Sequence, residues 1–107
     1  MKGTNLGEFE ELILLIIGML SSNAYGAAIM EEVHQQTGRN PSVGAVHSSI
    51  NRLMDKGFIN SKYGESTEKR RGRRKVYYSL TAAGESALIK TREMRNNLFS
   101  LIPNISK

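Results

Sequence analysis

An apolar segment near the start of the chain, Leu12 to Leu20, constrains the fold more than any other feature of the sequence. A helix that crosses a bilayer needs about 20 apolar residues, so this segment is too short to span a membrane. Apolar residues recur at helical spacing from Gly7 to Ser21 and leave almost no polar face. A helix of this kind must be covered on more than one side. We therefore expect it to be buried in a small domain, with a second subunit covering part of it.

Capping residues and helix breakers divide the next part of the chain. Asn23 is placed to cap a second helix from Ala24 to Thr37 that ends at Gly38. Ser42 is placed to cap a third helix that runs to Lys56 and ends at Gly57. The predicted buried stripe of this third helix is Val43, Val46, Ile50, Leu53 and Met54.

Two extended segments and a long helix complete the chain. Phe58 to Gly64 and Lys75 to Leu80 have the composition of strands. Thr81 can cap a last helix from Ala82 to about Ile102. We therefore predict a mostly α-helical fold with a small β hairpin: a winged helix-turn-helix domain at residues 1–81, and a C-terminal dimerisation helix at 82–107 within the same compact unit.

The net charge of +5 is concentrated in one loop. Lys69 to Lys75 holds six of the fifteen basic residues, and the rest of the chain holds nine basic against ten acidic residues. A local positive patch on an otherwise neutral chain favours contact with a polyanion. Between two strands this loop would form a wing that contacts DNA phosphates; a solvated loop is the alternative. The candidate phosphate contacts are Lys69, Arg70, Arg71, Arg73, Arg74 and Lys75.

The second and third predicted helices form a helix-turn-helix, whose second helix can enter the major groove of double-stranded DNA. Ser48 and Asn51 on its outward face can hydrogen-bond base edges or phosphates. His47 is either a specific contact or an ordinary surface residue, and Tyr25 either contacts DNA or packs at the start of the second helix. The candidate contacts on the third helix are Ser42, Gly44, His47, Ser48, Asn51 and Arg52.

Five stretches in this order resemble the PadR family of transcription regulators: Leu6–Glu10, Ala24–Gly26, Ser42–His47, Leu53–Ile59 and Gly72–Gly84. The resemblance covers nearly the whole chain. It implies a winged-helix dimer that represses transcription, often in response to a small molecule. The single helix after the wing is similar to the short branch of the family, in which the last helix mediates dimerisation. The chain differs at His47, where the family usually has tyrosine. It also has no tryptophan, the residue with which some short members bind flat aromatic drugs.

The last helix carries an apolar seam that is longer than a small domain needs to cover itself. We expect it to pair with a second copy of the chain; packing onto its own domain is the alternative. The predicted dimer interface comprises Phe9, Leu12, Ile16, Ala87, Met94, Leu98 and Leu101. If a cavity for a small hydrophobic effector exists, its predicted lining is Phe9, Leu12, Met94, Leu98 and Phe99.

Several function classes are disfavoured by the residues themselves. The chain has no cysteine, which excludes disulfides, thiolate zinc sites and thiol nucleophiles. His34 and Glu31 are too few ligands for a metal site. We expect no enzyme activity, cofactor, metal or membrane partner, and a cytoplasmic location. The alternative to a DNA-binding regulator is a protein-interaction module on the same winged-helix fold.

Overall fold

The computed structural model describes residues 6–64 and 75–104, which form four α-helices and one two-stranded antiparallel hairpin. The predicted fold class, mostly helical with a small hairpin, is confirmed. In chain order the elements are α1 (Glu8–Leu20), a short 3-10 turn (Ser21–Asn23), α2 (Gly26–Thr37), α3 (Val43–Asp55), β1 (Ile59–Tyr63), β2 (Val76–Leu80) and α4 (Ala82–Ser100).

Helix α1 lies at the centre of the molecule, as its apolar sequence predicts. It packs against α2, α3, α4 and β2. Ile13, Leu14 and Ile17 are almost completely inaccessible, whereas Leu15 is about half exposed at 49 %. The chain therefore covers most of α1 by itself and leaves one edge of it open. The buried apolar core consists of Ile13, Leu14, Ile16, Ile17, Ala24, Ile29, Val33, Val46, Ile50, Leu53, Phe58, Ile59, Tyr78 and Ala87.

The predicted start of α2 is wrong. Asn23 ends the 3-10 turn and does not cap a helix, and α2 begins two residues later than predicted, at Gly26. The reason is tertiary: the Ala24 carbonyl accepts a hydrogen bond from the Tyr78 amide at 2.8 Å, and Tyr25 pairs with Tyr77 in an isolated β bridge. Backbone that is extended against β2 cannot also be the first turn of a helix. Ala24 and Tyr25 thus tie the helix-turn-helix to the hairpin.

Helix α3 begins as predicted, because the Ser42 hydroxyl accepts a hydrogen bond from the Ala45 amide at 3.0 Å. Its predicted buried stripe is only partly right. Val43 and Met54 are exposed, at 58 % and 37 %, since they lie at the two ends of the helix and off the face that meets the core. Ser49 takes a place in the stripe instead, and its hydroxyl has no hydrogen-bond partner among the residues described.

Helix α4 follows β2 directly, with Thr81 between them. The Thr81 hydroxyl caps the helix by accepting the Gly84 amide at 3.0 Å, and it donates to the Gly57 carbonyl at 2.7 Å. Gly84 lies so close to the start of β1 that a β-carbon there would collide with the Phe58 carbonyl oxygen. The helix ends at Ser100, slightly earlier than predicted, and Leu101 and Ile102 continue in turns.

The hairpin pairs Ile59 with Leu80 at one end and Tyr63 with Val76 at the other. Its connecting segment, residues 65–74, lies outside the described residues. None of the helices within 6–64 and 75–104 is long and apolar enough to cross a bilayer.

Candidate nucleic-acid interface

The outward face of α3 is accessible. Val46, Ser49, Ile50 and Leu53 turn toward the core, so the residues between them turn away from it. Because the helix is anchored by one side only, its opposite face is free to approach another molecule. All six α3 candidates are exposed: Ser42, Gly44, His47, Ser48, Asn51 and Arg52.

The base of the hairpin lies beside this face. One groove of about 250 Å³, the wing groove, is shared by the start of α2, α3 and the start of β2. His47 of α3 and Lys75 of the hairpin both line it. The full lining of the wing groove is Tyr25, Gly26, Ala27, His47, Lys75, Val76 and Tyr78.

Lys75 is positioned by aromatic residues. Its ammonium nitrogen lies 3.8 Å from the centre of the Tyr25 ring, an attractive cation–π geometry. Tyr25 is in turn held by an edge-to-face contact with Tyr77, with ring centres 5.5 Å apart. Of the two interpretations of Tyr25, the structure shows packing at the start of α2. The other basic wing candidates, Lys69, Arg70, Arg71, Arg73 and Arg74, lie outside the described residues.

A second groove, of about 290 Å³, lies where the turn between α2 and α3 meets the start of α1. Its dominant charge is Arg39, whose guanidinium carbon lies 5.0 Å from the centre of the Phe9 ring. The same guanidinium donates to Glu8 at 2.8 Å. Sequence reasoning missed Arg39, although a basic residue in the turn before the second helix of a helix-turn-helix is a usable signal. This turn groove is lined by Phe9, Arg39, Asn40, Pro41 and Ala45.

Glu10 connects the start of α1 to the end of α3, and sequence reasoning missed this role too. Its carboxylate accepts from Lys56 at 2.6 Å and from Arg52 Nε at 2.9 Å. Burial by itself raises the pKa of Glu10, but the hydrogen bond and positive charge of Lys56, followed by the hydrogen bonds of Arg52 and of the Gly7 amide, outweigh burial and hold that pKa below its ordinary value. The ion pair therefore fixes Arg52 at one edge of the exposed α3 face.

The seven residues predicted for a dimer interface fall into three environments. Ile16 and Ala87 are buried in the core of the chain itself, so they present no surface to a partner here. Phe9 and Leu12 are half-buried and pack against that core. The remaining three, Met94, Leu98 and Leu101, are exposed on and just after α4. Their exposure is compatible with the predicted pairing, which stays a prediction.

A third groove, of about 490 Å³, separates α1 from α4. Leu15, Leu88 and Ile89 supply its apolar floor, and Arg95 closes one side by donating to Glu11 at 2.9 Å. Its lining shares no residue with the cavity predicted from sequence. Phe9 and Leu12 lie on another side of α1, Met94 lies on the opposite side of α4, and Leu98 and Phe99 lie farther along α4. The full lining is Glu11, Leu15, Glu85, Leu88, Ile89, Arg92, Arg95 and Asn96.

Within residues 6–64 and 75–104, no three His, Cys, Asp or Glu side chains lie close enough together to bind a metal ion. His34 lies exposed near the end of α2.

Residues 13–90 match the family model described as the transcriptional regulator PadR-like family. The fold is similar to that of a PadR-like transcription factor from Bacteroides fragilis, with a TM-score of 0.77, 23 % identity, and coverage of 92 % of this chain and 89 % of that one. A PadR family transcription regulator from hypervirulent Clostridium difficile has a TM-score of 0.69 and 29 % identity, with coverage of 89 % and 95 %. A transcriptional regulator from Clostridium thermocellum has a TM-score of 0.70 and 24 % identity, with coverage of 92 % of each chain. No curated protein matches this chain by sequence.

Proposed function

Because the chain belongs to the PadR-like family of transcriptional regulators, we propose that it binds double-stranded DNA as a homodimer and represses transcription. Proteins of this family are regulators and not enzymes, in agreement with the prediction that the chain has no enzyme activity. The proposed location is the cytoplasm, because that compartment holds the DNA on which a bacterial-type repressor acts.

One observation carries the proposal: the exposed face of α3 and the base of the basic hairpin border the same groove. A helix can enter the major groove while a flanking cation contacts the phosphates beside it. His47 and Lys75 line that groove from the two elements, so both can meet one duplex at once. A hairpin on the opposite side of the domain from α3 would have ruled out this arrangement.

The contacts divide into two kinds. Ser48 and Asn51 lie on the exposed face of α3, where an amide or hydroxyl can hydrogen-bond base edges. Lys75 and the basic residues of the wing neutralise phosphates, which provides affinity that does not depend on sequence. Specificity therefore comes from α3 and the salt dependence of binding from the wing.

The homodimer is proposed from the far half of α4. Met94, Leu98 and Leu101 are exposed there, and an exposed apolar patch of this kind marks a contact surface. Pairing of two α4 helices about a two-fold axis would place two α3 helices on successive turns of one DNA face, so the expected operator is an inverted repeat with half-sites about one helical turn apart.

A small hydrophobic effector is proposed for the α1–α4 groove, since its floor is apolar. Such a ligand would contact both α1 and α4, and would thereby change the relative orientation of the two subunits. Thermal melting against a panel of hydrophobic compounds tests this, because a ligand that binds the folded state raises the melting temperature. No shift with any compound would argue against an effector here.

A salt titration of DNA binding tests the main proposal. With a fluorescent duplex, the logarithm of the binding constant should fall linearly with the logarithm of salt concentration, by about 0.9 for each phosphate contact. Replacing both Arg73 and Arg74 by alanine should weaken binding to all sequences and flatten this slope. The matched control is Lys90→Ala, an exposed lysine of α4 that lines none of the grooves described above. An unchanged slope in the double variant would remove the wing from the mechanism.

Asn51→Ala tests the reading role separately. It should change the preference among duplexes selected from genomic DNA while leaving the salt slope almost unchanged, because it removes a base contact and no charge. Equal losses on every sequence would contradict that role. If the wild-type protein shows no salt-dependent affinity for DNA, the protein-interaction module becomes the better interpretation.

A further inference from the structure

The exposed face of α3 has two edges, and the wing groove accounts for only one of them. Val46 turns into the core, and its neighbours Ala45 and His47 are about 200° apart around the helix axis. His47 borders the wing groove, whereas Ala45 borders the turn groove that Arg39 lines. Lys75 and Arg39 therefore lie on opposite sides of α3.

We propose that Arg39 is a further phosphate contact, on the DNA strand opposite the one that the wing contacts, and that Glu8 competes with the phosphate for it. A helix with its side chains is about 10–12 Å across, and the major groove that receives it is about 12 Å wide and bordered by a phosphate row on each side. A cation on each flank of α3 therefore faces one row each. The inference rests on the proposed DNA-binding function.

The contacts of Arg39 hold it at this edge without burying it. Stacking over Phe9 restricts the guanidinium to the turn groove, and its planar form suits the paired hydrogen bonds that a phosphate accepts. The ion pair with Glu8 is open to solvent, with side-chain exposures of 45 % for Arg39 and 70 % for Glu8. Exposed pairs are weak and screened by salt, so an incoming phosphate can replace the carboxylate.

A second arginine lies on the same flank. Arg52 follows Ala45 by seven residues, or two helical turns, and so lies on the same side of α3. Its partner Glu10 is buried, so that pair is fixed, whereas the exposed pair of Glu8 and Arg39 can exchange. The turn-groove side of α3 thus presents two arginines that carboxylates of α1 orient toward the helix.

The experiment measures anisotropy of a fluorescent mixed-sequence duplex with the full chain over a range of salt concentrations. Arg39→Gln should lower the salt slope by about 0.9 per subunit and weaken binding severalfold at about 0.1 M salt. Arg39→Lys should retain most of the slope, because it keeps the charge. Glu8→Gln should tighten binding severalfold, and this gain should vanish in the Arg39→Gln background, since the carboxylate acts through the arginine.

Two controls make the outcomes distinguishable. Lys90→Gln removes an exposed lysine of α4 that lines none of the three grooves and should leave the slope unchanged. Melting curves of every variant establish that it is folded. If Lys75→Gln lowers the slope but folded Arg39→Gln does not, this inference is overturned while the proposed function stands. An equal gain from Glu8→Gln in both backgrounds would also overturn it. A wild-type protein without salt-dependent binding would refute both.

Discussion

Replacing Glu10 by glutamine removes the carboxylate that joins the start of α1 to the end of α3. Two charge-assisted hydrogen bonds are lost or weakened, from Lys56 at 2.6 Å and Arg52 at 2.9 Å. Each is worth about 1.5–3 kcal/mol when its groups are buried, but both cations regain water here because they are partly exposed. We therefore expect a net loss of about 1–2 kcal/mol in the free energy of unfolding, which corresponds to a fall of very roughly 5–15 °C in melting temperature.

The pH dependence of this loss has a definite sign. The pKa of Glu10 is lower in the folded chain than its ordinary value of about 4.3. The carboxylate therefore contributes its full stabilisation above that ordinary value, and the contribution disappears as pH falls through the folded-state pKa. The difference between wild-type and Glu10→Gln protein should be constant near neutral pH and shrink below about pH 4.3.

The assay is thermal melting by circular dichroism at one protein concentration, since an oligomer's melting temperature depends on concentration. Glu31→Gln on the exposed surface of α2 is the matched control and should change the melting temperature little at any pH. A Glu10→Gln protein with the same melting temperature as the wild type at neutral pH would refute the reasoning. So would a difference that persists undiminished in acid.

Four further substitutions, one of them a control, probe other parts of the molecule. Gly84→Ala forces a β-carbon against the Phe58 carbonyl and should cost at least about 2 kcal/mol in urea unfolding, whereas Gly26→Ala, which meets open space, should stay within about 1 kcal/mol of wild type. Ser49→Ala removes a buried hydroxyl that has no hydrogen-bond partner in the described part of the chain, and should leave the urea midpoint unchanged or higher; a loss above about 1 kcal/mol would mean that the hydroxyl is bonded. Leu98→Glu places a charge on the exposed face of α4 and should shift the sedimentation coefficient from that of the proposed dimer to that of a monomer. If the variant still sediments as a dimer, the interface does not involve Leu98.

Local signals predicted the elements well where the relevant chemistry is local. The periodicity of α1 and the caps at Ser42 and Thr81 depend on residues within one turn, and the structure confirms them. Asn23 has the same local signal and fails, because the adjacent backbone is extended against β2. A capping residue cannot report a hydrogen bond to a strand that lies more than fifty positions away.

The candidate site shows the same limit. The face of α3 and the neighbouring hairpin follow from helical spacing and element order, and both are where the sequence predicts them. Arg39 and Glu10 were missed because their roles come from partners 31 and 42 residues away. Ile16 and Ala87 have the spacing of an interface seam, but both side chains are buried in the core of the chain itself.

Because only Thr81 separates β2 from α4, the orientation of α4 is coupled directly to that of the hairpin. Helix and hairpin share one residue between them, and that residue is bonded on one side to Gly84 and on the other to Gly57. Helix α4 is 19 residues long, or about 28 Å, so a tilt of roughly 10° at Thr81 would move its far end by about 5 Å. Conversely, in the proposed homodimer a movement of about one ångström between the far ends of the paired α4 helices would turn each hairpin by only a few degrees. In the proposed homodimer on DNA, the spacing of the two domains would therefore be set by a helix joined directly to the hairpin rather than by a flexible linker.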